Sequence, residues 1–192
     1  MSALPGGGQP RAITRWGDPV LHRPCQPVGR FDSSLRLLVA DLVATMYAAE
    51  GVGLAANQMG VAQQVFVFDC SDDDGVRHAG VVCNPSLEVP EGRERVLDDA
   101  DEGCLSLPGA FVPCARPDFA AVTGLDADGQ PVSHSGNGLL ARCLQHEFDH
   151  LQGVVFGDRL ATRVRRRLHK EAARFADEFP PGWPAQRQGP TS

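Results

Sequence analysis

Residues 145–150 (QHEFDH) constrain the fold of this chain more strongly than any other segment. On a helix, His146 and His150 lie one turn apart on the same face and can bind one metal ion. Glu147 is then offset by about 100° from His146, beside the ion, where a general base for a coordinated water belongs. The alternative is a surface helix that carries two unrelated histidines. A catalytic site also needs a third protein ligand and one position open to water.

The sequence offers three candidates for the third ligand: Cys143, Glu171 and Cys104. Cys143 is on the same helix as His150, but the axial rise between them is about 10.5 Å, which one small ion can hardly bridge. Cys143 is better interpreted as a pocket wall or a core thiol. Glu171 follows His150 at a spacing near that of some metalloproteases, but it falls within a strongly basic helix. Cys104 lies in residues 102–109 (EGCLSLPG), an irregular turn suited to presenting a thiolate and a free N–H.

Residues 51–58 (GVGLAANQ) form a third motif. Its first six residues match the dinucleotide-binding pattern G-x-G-x-x-A, which requires a strand before it and a helix after it. Here a predicted helix precedes the motif and a predicted strand follows it, so we reject nucleotide binding. We expect instead that the backbone approaches a substrate closely and that Gln58 offers an amide donor.

The hydrophobic periodicity predicts an α+β fold, in which antiparallel strands pack around a central metal-binding helix, with an N-terminal and a C-terminal helix. Strands do not alternate regularly with helices, so a doubly wound parallel sheet is excluded. Helices are predicted from a cap at Asp32 or Ser33 to about residue 50, over residues 138–151 with an end at Gly153, and over residues 161–179. Two hairpins are predicted, one from residues 65–69 and 79–83, the other from residues 119–125 and 130–133.

The composition is that of an ordinary globular protein. The 192 residues carry a net charge of −6, which argues against a general nucleic-acid coat or a membrane-surface protein, so neither DNA nor membrane is an expected partner. No apolar run is long enough to span a bilayer, and residues 1–10 contain no apolar signal core, so we expect a cytoplasmic protein. Residues 13–179 are predicted to form a single catalytic domain between flexible tails at residues 1–12 and 180–192.

GVGLAANQ, EGCLSLPG and QHEFDH occur in this order, and together they resemble the three signature motifs of the peptide deformylase family. The resemblance extends over about residues 13–179 and includes an entry segment at residues 15–30 (RWGDPVLHRPCQPVGR). It implies a metal-dependent hydrolase that removes the N-formyl group from the N-terminal formyl-methionine of newly made polypeptides and releases formate.

The resemblance also implies a role for individual residues. The metal ligands are Cys104, His146 and His150, and the ion is Fe(2+) in most bacterial members, with Zn(2+), Ni(2+) or Co(2+) as alternatives. The catalytic residues are Glu147 as general acid and base, with Gln58 and the backbone N–H of Leu105 as oxyanion donors. The substrate-binding residues are Gly53, Val52, Gly103, Leu139 and Cys143. Glu102 supports the metal turn.

Two further features bear on binding partners. Many members of the family carry an arginine a few residues after the cysteine motif, where it contacts the peptide; residues 109–112 (GAFV) contain none, and Arg116 is the nearest. Residues 163–174 carry a local charge of +5, which is either a solvated helix face or a surface that docks on ribosomal RNA. The expected partners are N-formylmethionyl nascent peptides and, as a hypothesis, the ribosome, with the protein itself a monomer.

Two other functions fit parts of the sequence. A zinc endopeptidase would use Glu171 as its third ligand in place of Cys104. A ribosome-associated binding protein would carry a degenerate site, although each catalytic position of the motifs is occupied here.

Overall fold

The computed structural model describes residues 4–185 of the chain. Its helices are α1 (Ser33–Ala48), α2 (Gly138–Leu151) and α3 (Thr162–Ala172). Its strands are β1 (Gly53–Ala55), β2 (Val65–Ser71), β3 (Arg77–Glu88), β4 (Leu97–Asp98), β5 (Asp101–Cys104), β6 (Leu107–Pro113), β7 (Arg116–Pro117), β8 (Phe119–Leu125) and β9 (Pro131–Asn137). This mixture of helices with antiparallel strands confirms the predicted α+β class.

A five-stranded antiparallel sheet with the order β1-β2-β3-β8-β9 forms the centre of the molecule. The two predicted hairpins are confirmed as the β2–β3 and β8–β9 pairs. Strands β4 and β7 form one further two-stranded ladder, and β5 and β6 form another. Strand β1 lies at one edge of the main sheet, next to the segment that carries Gln58.

Both faces of the main sheet are covered, and β2 shows why its sequence is apolar throughout. Because side chains alternate along a strand, Val65 and Val67 point to one face while Phe66 and Phe68 point to the other. The valines pack in a core with residues of α1, and the phenylalanines pack in a second core with residues of α2. A strand buried on both sides reads as a continuous apolar run, as VFVF does here.

Helix α2 lies inside the molecule, as predicted, with Leu140, Leu144 and Leu151 fully buried in the second core. The helix ends where the sequence indicates, at Gly153, whose φ of 76° is in the left-handed region. A side chain there would also meet the backbone of Arg23 at 2.5 Å. Both the backbone conformation and the lack of space therefore require glycine at this position.

Helix α1 begins at the predicted cap. The Asp32 carboxylate accepts hydrogen bonds from the amides of Ser34 and Leu35, at 3.0 and 3.3 Å. These bonds satisfy amides that have no partner within the first turn of a helix.

The predicted C-terminal helix over residues 161–179 is too long. Helix α3 ends at Ala172, and a 3-10 helix continues over Ala173–Glu178. The helix is held by Leu168, which is fully buried in a third small core between α3 and β6.

Parts of both chain ends make contacts with the rest of the protein. Trp183 is only 5% exposed, and its carbonyl accepts a hydrogen bond from the Ile13 amide at 3.0 Å. Near the other end, the Gln9 amide donates to Asp41 at 2.8 Å. The Pro- and Gly-rich composition suggested tails, but burial of one indole outweighs that tendency. The division into one domain and two tails stays a prediction, and residues 1–3 and 186–192 lie outside the described part.

None of the helices within residues 4–185 combines the length and apolar character that crossing a membrane requires.

Candidate metal centre

The structure brings together three buried donor atoms from two segments that are distant in sequence. Cys104 ends β5, whereas His146 and His150 lie one turn apart on α2. The two Nε2 atoms are 3.2 Å apart, and Cys104 Sγ lies 3.3 Å from His150 Nε2. Donors that share a tetrahedral ion at bond lengths of about 2.0–2.3 Å lie about 3.3–3.6 Å apart. The set therefore fits one divalent cation in both chemistry and spacing.

The turn around Cys104 is shaped by its glycine neighbour. In the β5–β6 ladder Gly103 pairs with Phe111, and the register shifts before Cys104 pairs with Leu107. A side chain at Gly103 would meet the Phe111 ring at 2.4 Å. The register shift re-aims the cysteine side chain towards α2, which is a common use of a bulge beside a site.

Glu102 fixes the orientation of His146. Its Oε1 lies 2.7 Å from His146 Nδ1, and because an ionised carboxylate only accepts, Nδ1 carries the proton and leaves Nε2 for a metal. Arg116 donates two hydrogen bonds of 2.6 Å to the same carboxylate, and Arg142 donates a third of 2.9 Å. Burial opposes the charge of Glu102, yet the bonds from Arg116 and His146 hold its pKa well below the usual range.

Arg116 also bridges to the far side of α2. Its Nη1 donates to Asp149 Oδ2 at 2.9 Å, and Arg159 binds the same carboxylate from outside. Arg116 is only 2% exposed and is occupied by two carboxylates, so it does not replace the peptide-contacting arginine that the cysteine motif lacks. No sequence pattern indicated a role for Arg116, Arg142 or Asp149. Two of them could have been suspected from their positions: Asp149 belongs to QHEFDH, and Arg142 precedes His146 by about one helical turn. Arg116 had no such indication.

Glu147 lies beside the donor cluster in a closed environment. The residue is 4% exposed, and its Oε2 is buried with no hydrogen-bond partner among residues 4–185. Its Oε1 lies so close to β1 that a side chain at Gly53 would meet it at 2.5 Å. Burial raises the pKa of the carboxyl to about 7. A carboxyl whose pKa lies near neutral pH can both accept and return a proton.

The Gln58 amide has a fixed orientation. Its Oε1 accepts from the Ala55 amide at 2.9 Å, so Nε2 points the other way, 3.2 Å from Ser106 Oγ and 3.7 Å from Cys104 Sγ. The neighbouring Asn57, to which the sequence analysis assigned no role, donates to the His150 carbonyl at 2.5 Å. This hydrogen bond therefore links the GVGLAANQ segment to the turn of α2 that carries both histidines.

A cavity of about 420 Å³ opens on this cluster. Of the predicted substrate-binding residues, Val52, Gly53, Gly103 and Leu139 line it, together with Leu105. Cys143 lies outside this lining: its thiol is buried and donates to the Val52 carbonyl at 3.5 Å, beneath the cavity wall. Phe111, Phe179 and Trp183 also line the cavity, and no motif pointed to them.

Glu171 lies on α3, where it accepts a hydrogen bond of 2.8 Å from Arg167. It is not part of the donor cluster, which is complete with Cys104. The zinc endopeptidase alternative therefore lacks the third metal ligand that it requires.

The site combines a buried cluster of one thiol and two imidazoles with an adjacent carboxyl whose pKa is near 7. This combination is typical of a metal-dependent hydrolase that uses a single ion. Comparison with known proteins narrows this class. The polypeptide deformylase family model matches residues 10–166. A peptide deformylase 1 from Streptomyces avermitilis is 54% identical over 174 residues, which cover 90% of this chain and 80% of the relative.

Two further similar proteins are also peptide deformylases. A peptide deformylase from Mycolicibacterium paratuberculosis is 55% identical over 159 residues, covering 78% of this chain and 81% of the relative. The crystal structure of a peptide deformylase from Synechococcus elongatus in complex with actinonin is 36% identical, with a TM-score of 0.75 and coverage of 91% of both chains. The chain belongs to the peptide deformylase family, and it is a metal-dependent hydrolase that removes the N-formyl group from newly made polypeptides.

The buried charge network generates a prediction about Arg116. The substitution Arg116→Met leaves two buried carboxylates without their shared cation, so we expect the free energy of unfolding to fall by about 3 kcal/mol or more. The matched control is Arg167→Met, which removes an exposed pair with Glu171 and should cost about 0.5 kcal/mol or less. Urea unfolding of both variants measures this, and equal losses would contradict the structural role of Arg116.

Proposed function

We propose that Cys104, His146 and His150 hold the catalytic cation and that Fe(2+) is the native ion. The observation that carries this proposal is the convergence of three buried donors at the spacing of a shared ion. A thiolate with two imidazoles also accepts Zn(2+), Ni(2+) or Co(2+), because such borderline donor sets bind late first-row metals in general. The choice of Fe(2+) rests on the resemblance to bacterial members of the family.

The bound cation supplies a lowered pKa for its water and polarisation of the formyl carbonyl. Glu147 accepts the proton of the attacking water and later returns it to the leaving peptide nitrogen, so that formate and a free amino terminus result. Gln58 Nε2 and the Leu105 N–H donate to the oxygen on which negative charge develops. Each such donor typically contributes about 3–4 kcal/mol to transition-state stabilisation.

The formyl-methionyl peptide is proposed to lie along the free side of β1. An extended peptide can add to an edge strand, and Gly53 allows its backbone to approach because no side chain fits above Glu147. Val52 and Leu139, 40% and 46% exposed, offer apolar surface to the methionine side chain. Gly103 borders the cavity opposite β1, and Cys143 supports the Val52 backbone from below.

Two substitutions test the assignment of ligand and base. Glu147→Gln keeps the ligand set, so we expect retained metal and a loss of turnover of about 10²-fold or more. Cys104→Ser removes the thiolate, and we expect loss of both metal and activity. Formate release from formyl-Met-Ala-Ser, with metal analysis of anaerobically prepared protein, measures both effects. Substantial turnover by Glu147→Gln, or full metal content in Cys104→Ser, would contradict the assigned roles.

We further propose that the protein acts as a cytoplasmic monomer and that α3 docks on ribosomal RNA. Support comes from the exposure of Arg163, Arg166, Arg167 and Lys170, while Leu168 holds the opposite face in the core. A row of cations on a firmly held helix can bind phosphates with little reorganisation, and such binding weakens with salt.

Charge reversal tests the docking surface without removing packed residues. We expect Arg163→Glu combined with Arg166→Glu and Lys170→Glu to abolish co-sedimentation with ribosomes at low salt. Reversal of two exposed arginines elsewhere, Arg93→Glu with Arg95→Glu, is the control and should leave it unchanged. Co-sedimentation that survives the triple reversal would end this proposal.

A further inference from the structure

The segment after α3 returns to the cavity over the metal centre. Phe179 and Trp183 line the same cavity as Gly53, Cys104 and Glu147, although they lie outside the matched motifs. We call these two residues the aromatic wall. Their rings meet edge to face, with centroids 5.0 Å apart and an interplanar angle of 83°.

The aromatic wall is held by the beginning of the domain. Arg15 donates to the carbonyls of Phe179 and Pro180, at 2.9 and 3.3 Å, and its guanidinium lies over the Trp183 ring, 5.4 Å from the centroid. The Ile13 amide donates to the Trp183 carbonyl. Because residues 13 and 15 fix its backbone and one of its rings, the wall is a formed part of the cavity before any ligand binds.

The aromatic wall offers apolar surface and not a hydrogen bond. The indole Nε1 of Trp183 is buried from solvent and has no partner among residues 4–185, so a peptide in the cavity does not reach it. Phe179 is partly exposed beside it. The contact available to a ligand is therefore with the two rings.

The position of the wall indicates which part of a peptide it meets. Phe179 and Trp183 pack with Leu105 in the first core, whereas Leu140 and Cys143, next to the proposed methionine site, belong to the second core on α2. Successive side chains of an extended peptide point in opposite directions. If the methionine side chain points towards Leu139, the following side chain points towards Leu105 and the wall.

We propose that the aromatic wall is a subsite for an apolar side chain directly after the formyl-methionine, and so determines substrate preference at that position. This inference rests on the proposed placement of the peptide along β1. It makes Phe179 and Trp183 specificity-determining residues and Arg15 a residue that positions them.

The test compares formyl-Met-Leu-Ser with formyl-Met-Ala-Ser. We expect the wild-type protein to have a KM roughly tenfold lower for the leucine peptide, as apolar contacts of a few methylene groups allow. Phe179→Ala should abolish this difference by raising the KM for the leucine peptide to that for the alanine peptide. Trp183→Phe should retain it, because the ring and not the N–H makes the contact.

Phe175→Ala is the matched control. Phe175 lies on the same C-terminal segment and contacts Gly109, but it does not line the cavity, so its loss should leave the leucine preference intact. An unchanged preference in Phe179→Ala, a wild-type protein that does not distinguish the peptides, or loss of preference in Trp183→Phe would each overturn the proposal. A wild-type protein that deformylates neither peptide would instead refute the proposed function itself.

Discussion

The buried carboxylate of Glu102 is the contact on which the candidate site depends. It joins β5, which presents the metal cysteine, to α2, which presents the two histidines, through the bond to His146 Nδ1. Arg116 and Arg142 hold the carboxylate ionised although it is 3% exposed. Without these cations a buried carboxylate would favour its neutral form, which is a weaker hydrogen-bond acceptor for the proton on His146.

Helix α2 both packs in the core and carries the side chains of the candidate site. One side of it packs against the sheet through leucines, and the other side carries donors, base and charged partners. Enclosure by the sheet and by the β5–β6 ladder removes water from Glu147, which is why its pKa rises to about 7. The same burial that stabilises the fold therefore tunes the group proposed to move the proton.

Much of the architecture could be predicted from local patterns. The helix around QHEFDH, its end at Gly153, the cap at Asp32 and both hairpins follow from periodicity and turn chemistry, and the structure confirms them. The approach of Cys104 to the histidines was implied only by the family resemblance, because no local rule links residues more than 40 positions apart. Contacts made by Arg116 with Glu102 and Asp149 had no periodic signal at all. The burial of Trp183 was missed because a Pro- and Gly-rich context suggests a tail, and only the tertiary structure provides the groove that receives it.

The proposed site binds a single divalent ion through one sulfur and two imidazole nitrogens. X-ray absorption at the metal edge of anaerobically prepared protein tests it most directly. We expect one ion per chain, with one sulfur neighbour at about 2.3 Å and nitrogen or oxygen neighbours at about 2.0–2.2 Å. An active protein whose bound ion has no sulfur neighbour would contradict the assignment of Cys104 as a metal ligand.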